Sequence, residues 1–442
     1  MRFMKRCTSP PSRPGLFLIG GFFISWTAWA GFPPGGDPGS IAVPTGDSES
    51  AFGVLTEEEA VEIALQNSRN LASLTANSEI AGYRLDSSGR IGNPELRIAD
   101  VSTRYIADGI DEMRIGLRWR FPRMGALREE RQEARVDLTK RRVEENRYRQ
   151  GLIARVRKNY AEVLLVDRLA ELVAEETEIE QRRVRILEEM VGVTGERSVL
   201  HLARARMRHA ESQNLLARVL QNRRVARQNL TLRFGIPEQA SLLRGKIPEA
   251  VLPLEELIDL AFENRPETAL VEEQIRLAVT QRRTETWKRM PWPTFIDLSY
   301  HREKRRNEDW GELLMGFHLP LFDFNQGNIR ATRLAVLNRE NASDAIRESI
   351  ADEVRTAYAV YQDLWLDWKR FSRDAEELIS RAGEIVARTR EHRTLRADEV
   401  CEMELLIVET KKNLCEKRCN LAHALIDLYQ AAGIEHPEPW NE

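Results

Sequence analysis

From Met113 to Pro122 the chain reads MRIGLRWRFP, and apolar and charged residues alternate one for one. Met113, Ile115, Leu117, Trp119 and Phe121 share one parity, while Arg114, Gly116, Arg118 and Arg120 take the other. A period of two predicts a strand with one oily and one basic face. The pattern returns later: Ile296, Leu298 and Tyr300 alternate with Asp297, Ser299 and His301, and Leu313, Met315, Phe317, Leu319 and Leu321 share one parity. The run PELRIADVSTRYI, ahead of the first strand, alternates in part. Elsewhere the period is that of a helix. From Ala126 to about Val191 there is no Pro and one Gly, and Val143, Leu152, Val156, Tyr160, Val163, Val166, Ala170 and Val173 recur at three-four spacing. The stretch from Asn328 to about Arg390 behaves likewise. At about 1.5 Å per residue, such helices would run on the order of 95–100 Å, which no compact globule needs. A break at Val191 to Gly195, or at His392 to Leu395, then leads into a shorter return helix, Ser198 to Arg233 or Asp398 to Ala432.

The two halves are copies of one plan. LTEEEAVEIALQN from Leu55 matches LPLEELIDLAFEN from Leu252, with Glu58/Glu255, Glu59/Glu256, Ala64/Ala261 and Asn67/Asn264 identical at one constant offset. VRKNYAEVLL from Val156 matches VRTAYAVYQD from Val354, pairing Arg157 with Arg355 and Tyr160 with Tyr358. Both copies end in Gly-Ile, at Gly235-Ile236 and Gly433-Ile434, and Gly116 and Gly316 mark the same place in the strands. A period of about two hundred residues is too long for a solenoid. We therefore expect a first repeat over 55–236, with a β-hairpin at 94–122 and a long helical hairpin at 126–234. A linker at 237–251 leads to a second repeat over 252–434, with its β-hairpin at 293–322 and helical hairpin at 328–432, then a tail at 435–442. Thr56 ahead of Glu59 forms a capping box that opens the first repeat.

Composition narrows the setting. The 442 residues hold only 25 Gly and 18 Pro, in keeping with long helices rather than many short strands. The net charge is −3, with Arg and Glu interleaved, so no nucleic-acid partner is expected. Arg2, Lys5, Arg6 and Arg13 precede an apolar run from Gly15 to Trp26, followed by Ala28-Trp29-Ala30. This is the pattern of a secretory signal peptide, expected to span 1–30 and to be followed by a linker at 31–54. Its removal takes away four basic and no acidic residues, moving the net charge from −3 to −7.

Four strands cannot close a barrel, and an isolated hairpin is marginal in water. In lipid, pooling strands from several chains is forced, because only a closed barrel pairs every backbone group without a helix. The candidate strands run about ten residues, enough to cross a membrane when tilted. In this setting the chain resembles the TolC family of outer-membrane efflux proteins from Leu55 to Ile434. The matching stretches are LTEEEAVEIALQNSRNLA, GNPELRI, GLRWRFPRMGALR, VRKNYAEVLL, RPETALVEEQI, GFHLPLFDFNQGNIRATR and LRFGI, of which PLFDFNQG is the most specific. The resemblance implies a mainly α chain with a membrane β-barrel, a homotrimer pooling twelve strands over a helical periplasmic tunnel. It further implies an outer-membrane exit duct for tripartite efflux or type I secretion, docked onto a periplasmic adaptor and an inner-membrane pump of the RND or ABC type. GLRWRFPRMGALREER departs from the PLFD form kept at Leu321 to Asp323, which resembles the branch serving heavy-metal pumps.

With that reading, Ile115, Leu117, Trp119, Phe121, Phe317 and Leu319 are expected to face lipid. Arg114, Arg118, Arg120 and His318 are expected to face the lumen, the arginines forming a basic collar with no match in the second-copy strand. At the hairpin tips, where the family places its iris, GERSVLHLARAR keeps Gly195 and Glu196 but puts His201 where the family has Asp. RTLRADEVCEME lacks the Gly and offers Asp398, Glu399 and Glu402 as an acidic ring, with solvated helix-cap charge as the alternative reading. Cys415, Cys419 and His423 lie at i, i+4 and i+8, a spacing open to a soft metal and equally that of small packing residues along a helix seam. No cofactor is expected. Two other function classes fit the sequence less well. An exported coiled-coil structural or adaptor protein would carry one hairpin flanked by Gly- and Val-rich β-modules, without a duplication. An enzyme is disfavoured because the sequence has no Gly-x-Ser-x-Gly, phosphate-cradling Gly loop or His-Glu-x-x-His.

Overall fold

The computed structural model describes residues 54–102, 112–194, 196–238, 240–242, 251–303, 307–392 and 397–435. The signal-peptide segment, Gly195 and the tip residues 393–396 lie outside the described residues. The first repeat runs β1 (Val54–Leu55), α1 (Glu57–Asn67), α2 (Arg69–Ser87), β2 (Glu95–Ser102), β3 (Glu112–Arg120), α3 (Ala126–Thr194) and α4 (Glu196–Phe234). The second runs β4 (Ser241–Leu242), α5 (Leu254–Asn264), α6 (Pro266–Trp287), β5 (Trp292–Glu303), β6 (Glu308–His318), α7 (Gln326–His392) and α8 (Ala397–Ala432). Helices α3 and α7 hold 69 and 67 residues, roughly 100 Å each. Helix α3 runs on through Thr194, past the expected break at Val191. A single Gly192 costs a helix only about 1 kcal/mol relative to Ala, too little to stop one so long.

The duplicated sequence builds duplicated cores. In the first repeat Ala60, Val61 and Ala64 of α1 are buried with Leu152, Ile153, Val156 and Val163 of α3 and Ala226, Leu230 and Phe234 of α4. In the second, Leu257, Ile258 and Ala261 of α5 are buried with Ile350, Ala351, Val354 and Tyr361 of α7 and Ala424, Leu428 and Ala432 of α8. The capping box forms as the Thr-x-x-Glu spacing demands: the Glu59 amide donates to Thr56 Oγ1 at 3.3 Å and the Thr56 amide to Glu59 Oε2 at 2.8 Å.

The paired Asn and Gly-Ile motifs meet in space. Gly235 and Gly433 end their helical hairpins at φ of +76° and +70°, a left-handed conformation that favours glycine. A Cβ on Gly235 would lie 2.4 Å from Asn67 Nδ2, and one on Gly433 would lie 3.2 Å from the Asn264 Cβ. Each hairpin thus closes back on the first helix of its own repeat. The two-residue strands β1 and β4 pair in parallel, an element too short for periodicity to announce.

The two copies differ in their surroundings. Helix α3 packs on α2 and α4 of its own repeat and on α6 and α8 of the other. Arg157 is buried, pairs with Glu57 at 3.2 Å and donates to the Glu435 carbonyl at 3.0 Å, while its counterpart Arg355 is exposed beside Asp352. Burial pushes the Glu57 carboxyl up, opposed by Arg157. Gly235→Ala is expected to cost about 1–3 kcal/mol, from φ strain and the Asn67 clash. Gly151→Ala, on α3 with open space at its Cβ, should instead stabilise by up to about 1 kcal/mol. Denaturant unfolding of the two variants checks the opposite signs.

Candidate functional site: a two-faced sheet and the helical hairpin tips

The four long strands form one antiparallel sheet in the order β2-β3-β5-β6, so the two hairpins join across the repeats through β3 and β5. Register sets Arg118 opposite Asp297, Gly116 opposite Ser299, Arg114 opposite His301 and Ile115 opposite Tyr300. Because side chains alternate, one face collects Leu96, Ile98, Ile115, Leu117, Trp119, Ile296, Leu298, Tyr300, Leu313, Met315 and Phe317. This face is bare in the single chain: Leu117, Leu298 and Phe317 are 51%, 60% and 60% exposed. Leu319, just past β6, is exposed too, and Phe121, one residue past β3, keeps the ladder with its amide 2.8 Å from the Thr294 carbonyl.

The opposite face is a polar network centred on Asp297. Its Oδ2 accepts from Arg97 Nη1 at 2.8 Å, Arg118 Nε at 3.0 Å and Arg118 Nη2 at 2.8 Å, and the residue is almost fully buried. Arg114 donates to Glu312 at 2.7 Å and Ser299 at 3.2 Å, and His301 lies 2.8 Å from the same Glu312 oxygen. Arg120 pairs with Glu95 at 3.1 Å at the exposed margin. The duplicated glycines make room for this network. A Cβ on Gly116 would come within 3.2 Å of Asp297 Oδ1, closing the path Arg97 takes, and one on Gly316 would strike the Phe295 ring at 2.3 Å. That ring supports the Arg118 guanidinium, 4.6 Å from its centroid.

The expected arginines therefore share one face, but they are not an uncompensated collar. The second-copy strands answer them with Asp297 and Glu312, because a basic face on β3 draws acids onto the strands beside it. His318 stands apart, its ring 4.3 Å from that of Trp292 at the end of the sheet. Arg97, Asp297 and Glu312 were missed as site residues. Their alternation was visible, but the register joining β3 to β5 was not.

At the far end, α3 is tied to α8. Arg182 pairs with Glu404 at 2.8 Å, Arg183 with Glu402, and Lys412 with Glu176 at 3.1 Å, around buried Leu172, Ile179, Cys401 and Val408. Glu402 thus belongs to this cross-link. Asp398 and Glu399 sit in the first turn of α8, where acidic charge suits the helix dipole, and His201 is exposed on α4. Glu196 opens α4.

No protein-family model matches the chain. The cobalt-zinc-cadmium resistance protein CzcC of Cupriavidus metallidurans is 24% identical over 314 residues, spanning 70% of this chain and 72% of its own length. Among solved structures, CusC, described through transmembrane channel formation, superposes with a TM-score of 0.65 at 16% identity, over 85% of this chain and 92% of that one. A membrane protein from Pseudomonas aeruginosa gives 0.67 at 17% identity over 90% and 97%. The outer membrane protein VceC of Vibrio cholerae gives 0.64 at 16% over 85% and 96%. The chain shares the fold of these solved membrane proteins.

On this frame the cysteine stripe runs along a packed helix seam. Cys415 lies against the Leu172 and Ile179 cluster, while Cys419 is buried with its Sγ 3.7 Å from His423 Nε2, which also meets the Lys158 carbonyl at 3.2 Å. Among the described residues no three His, Cys, Asp or Glu side chains converge as a metal site. Burial pushes the Cys419 thiol up to about 11. The reactive thiolate is therefore scarce near neutrality. In a Cys401→Ser/Cys415→Ser chain, alkylation of Cys419 should keep accelerating with pH until about 11, and at pH 8 run roughly 100-fold slower than a free thiol of pKa 9. A rate that levels off near pH 9 would show an accessible, unperturbed thiol.

Proposed function

We propose that this chain is the outer-membrane exit duct of a tripartite efflux system. The observation that carries the reading is the four-stranded sheet itself, with an exposed apolar face and two edge strands, β2 and β6, left to pair. Bare backbone edges are not viable in lipid, and pairing β2 of one copy with β6 of the next closes a barrel. Three copies would supply twelve strands. The apolar face, with Ile115, Leu117, Trp119, Phe121, Phe317 and Leu319, then meets lipid. The Asp297 network, with Arg114, Arg118, Arg120 and His318 on the same side, then lines the lumen.

The helices support the same assembly. Large apolar residues stay exposed on α4, including Met207 and Leu232, and on α7, including Leu334 and Leu337, two helices that flank the α3–α8 pair. Two different patches on one chain join head to tail and close into a ring. The duct conducts passively, its substrates delivered by an inner-membrane pump through a periplasmic adaptor docking near the tips. The similarity to CzcC, named for cobalt-zinc-cadmium resistance, supports heavy-metal ions as the cargo class.

The closed end opens when α4 moves away from α3, and α8 moves away from α7 and from the α3 side chains that tie it down. Arg182–Glu404 and Arg183–Glu402 each keep one partner about half exposed and so contribute on the order of 1 kcal/mol each. Such a ladder is weak enough for a docking partner to break. Glu196, His201, Asp398, Glu399 and Glu402 lie at or beside this end, next in sequence to Gly195, and charge there sets which ions enter. In planar bilayers, Asp398→Lys/Glu399→Lys should lower cation preference or change single-channel conductance, and Arg182→Ala/Arg183→Ala should lengthen open times. Identical conductance, selectivity and gating in all three proteins would count against this gate, and absence of any channel would count against the duct.

A further inference from the structure

Near the sheet, where α3 leaves β3 and α6 approaches β5, the helices border an open pocket of about 230 Å³ lined by Arg128, Arg131, Gln132, Arg135, Thr280, Arg283 and Trp287, its four arginines exposed. Four arginines converge on it and no acidic side chain lines it. Among the described residues none of the four makes an ion pair, although arginines elsewhere on the same helices do: Arg141 with Asp137, Arg147 with Glu267, Arg276 with Glu273. Glu129, Glu130 and Glu133 stand between them in sequence but do not line the pocket. Gln132 is turned to α6, its Nε2 donating to the Glu273 carboxylate at 2.5 Å and lying 3.4 Å from the Glu273 backbone carbonyl, and Arg276 pairs with the other oxygen of that carboxylate. The Arg128 guanidinium lies 5.8 Å from the Trp287 ring centroid.

An anion placed among convergent guanidinium groups relieves their mutual repulsion, and a planar fork matches phosphate oxygens two at a time. The location says which anion. Helix α3 starts at Ala126, a few residues after β3 ends at Arg120, so Arg128 to Arg135 fall within roughly 5–15 Å of the strand ends. The headgroup layer beneath a hydrocarbon core of about 30 Å is roughly 5–8 Å deep, so Arg128 and Arg131 fall within it and Arg135 reaches up to it from its periplasmic margin. In the duct reading the mouth of this pocket is taken to face the lipid side. Trp287 supplies the half-apolar wall that suits an interface.

We infer that this pocket is a headgroup site for an anionic phospholipid of the periplasmic leaflet, its phosphate held by Arg128, Arg131, Arg135 and Arg283. The inference rests on the duct reading for its orientation. The site would anchor the junction between barrel and tunnel at a fixed depth, with affinity that falls as ionic strength rises.

The test titrates the purified full-length assembly in detergent with phosphatidylglycerol, with phosphatidylethanolamine of the same acyl chains, and with inorganic phosphate, counting bound lipid by native mass spectrometry. Phosphatidylglycerol should bind at least roughly tenfold more tightly than either alternative. Arg128→Gln/Arg135→Gln should lose roughly tenfold or more, since each interfacial arginine contributes roughly fivefold. Arg128→Lys/Arg135→Lys, which keeps the charge without the fork, should lie between. Arg381→Gln/Arg388→Gln, on α7 and paired with Glu377 and Glu384, should leave binding unchanged. Equal binding of phosphatidylethanolamine, equal binding of free phosphate, or full retention by the Gln variant would each overturn the site. Conductance of the same samples separates the two claims: channels without lipid preference sink only this site, and absence of channels sinks the duct.

Discussion

A sheet with two unpaired edges and one bare apolar face is an incomplete object. In water the apolar face invites association, and in lipid each unpaired backbone group costs several kcal/mol. Both costs vanish together when copies join edge to edge into a barrel. The polar face explains why the four strands hold as a unit before that happens. Asp297 on β5 is shared by Arg97 on β2 and Arg118 on β3, so one buried carboxylate fastens three strands drawn from both repeats. Removing one partner from such a buried cluster leaves uncompensated charge, which is far costlier than losing an exposed pair.

The helical part solves a related problem by duplication. Each repeat buries the same positions against its own short helix, so the two hairpins are stable in the same way. What joins them is asymmetric. Helix α3 lies between partners from both repeats, whereas α4 and α7 carry exposed apolar residues. The same Arg-x-x-Tyr placement therefore has two fates: Arg157 is buried against Glu57 and the chain's last described residue, and Arg355 is exposed. A duplicated sequence can become a ring only if its copies stop being equivalent, because one seam must form within the chain and another between chains.

Most of this architecture is legible in the sequence because it is written in periods. A two-residue period over nine or more residues marks β3, β5 and β6, and long Pro-free three-four runs mark α3 and α7. The repeated Asn and Gly-Ile motifs were visible as identities, and their contact gives the reason for them. What stayed hidden depends on register between distant segments. Asp297 reads as one polar residue in an alternating strand until β5 is laid beside β3. The Arg128, Arg131 and Arg135 stripe reads as balanced charge because Glu129, Glu130 and Glu133 are interleaved with it, and only the helix separates the two signs. The β1–β4 pair spans two residues on each side, too few for any period.

The central claim is that the open sheet closes by sharing its edges among identical chains. Cross-linking a cysteine pair placed on β2 and β6, for example Leu96→Cys with Leu313→Cys, in isolated outer membranes tests it directly. The account predicts bonds between copies only, giving a ladder that ends at three chains. Bonds within single chains, or recovery of the protein as a water-soluble monomer, would contradict it.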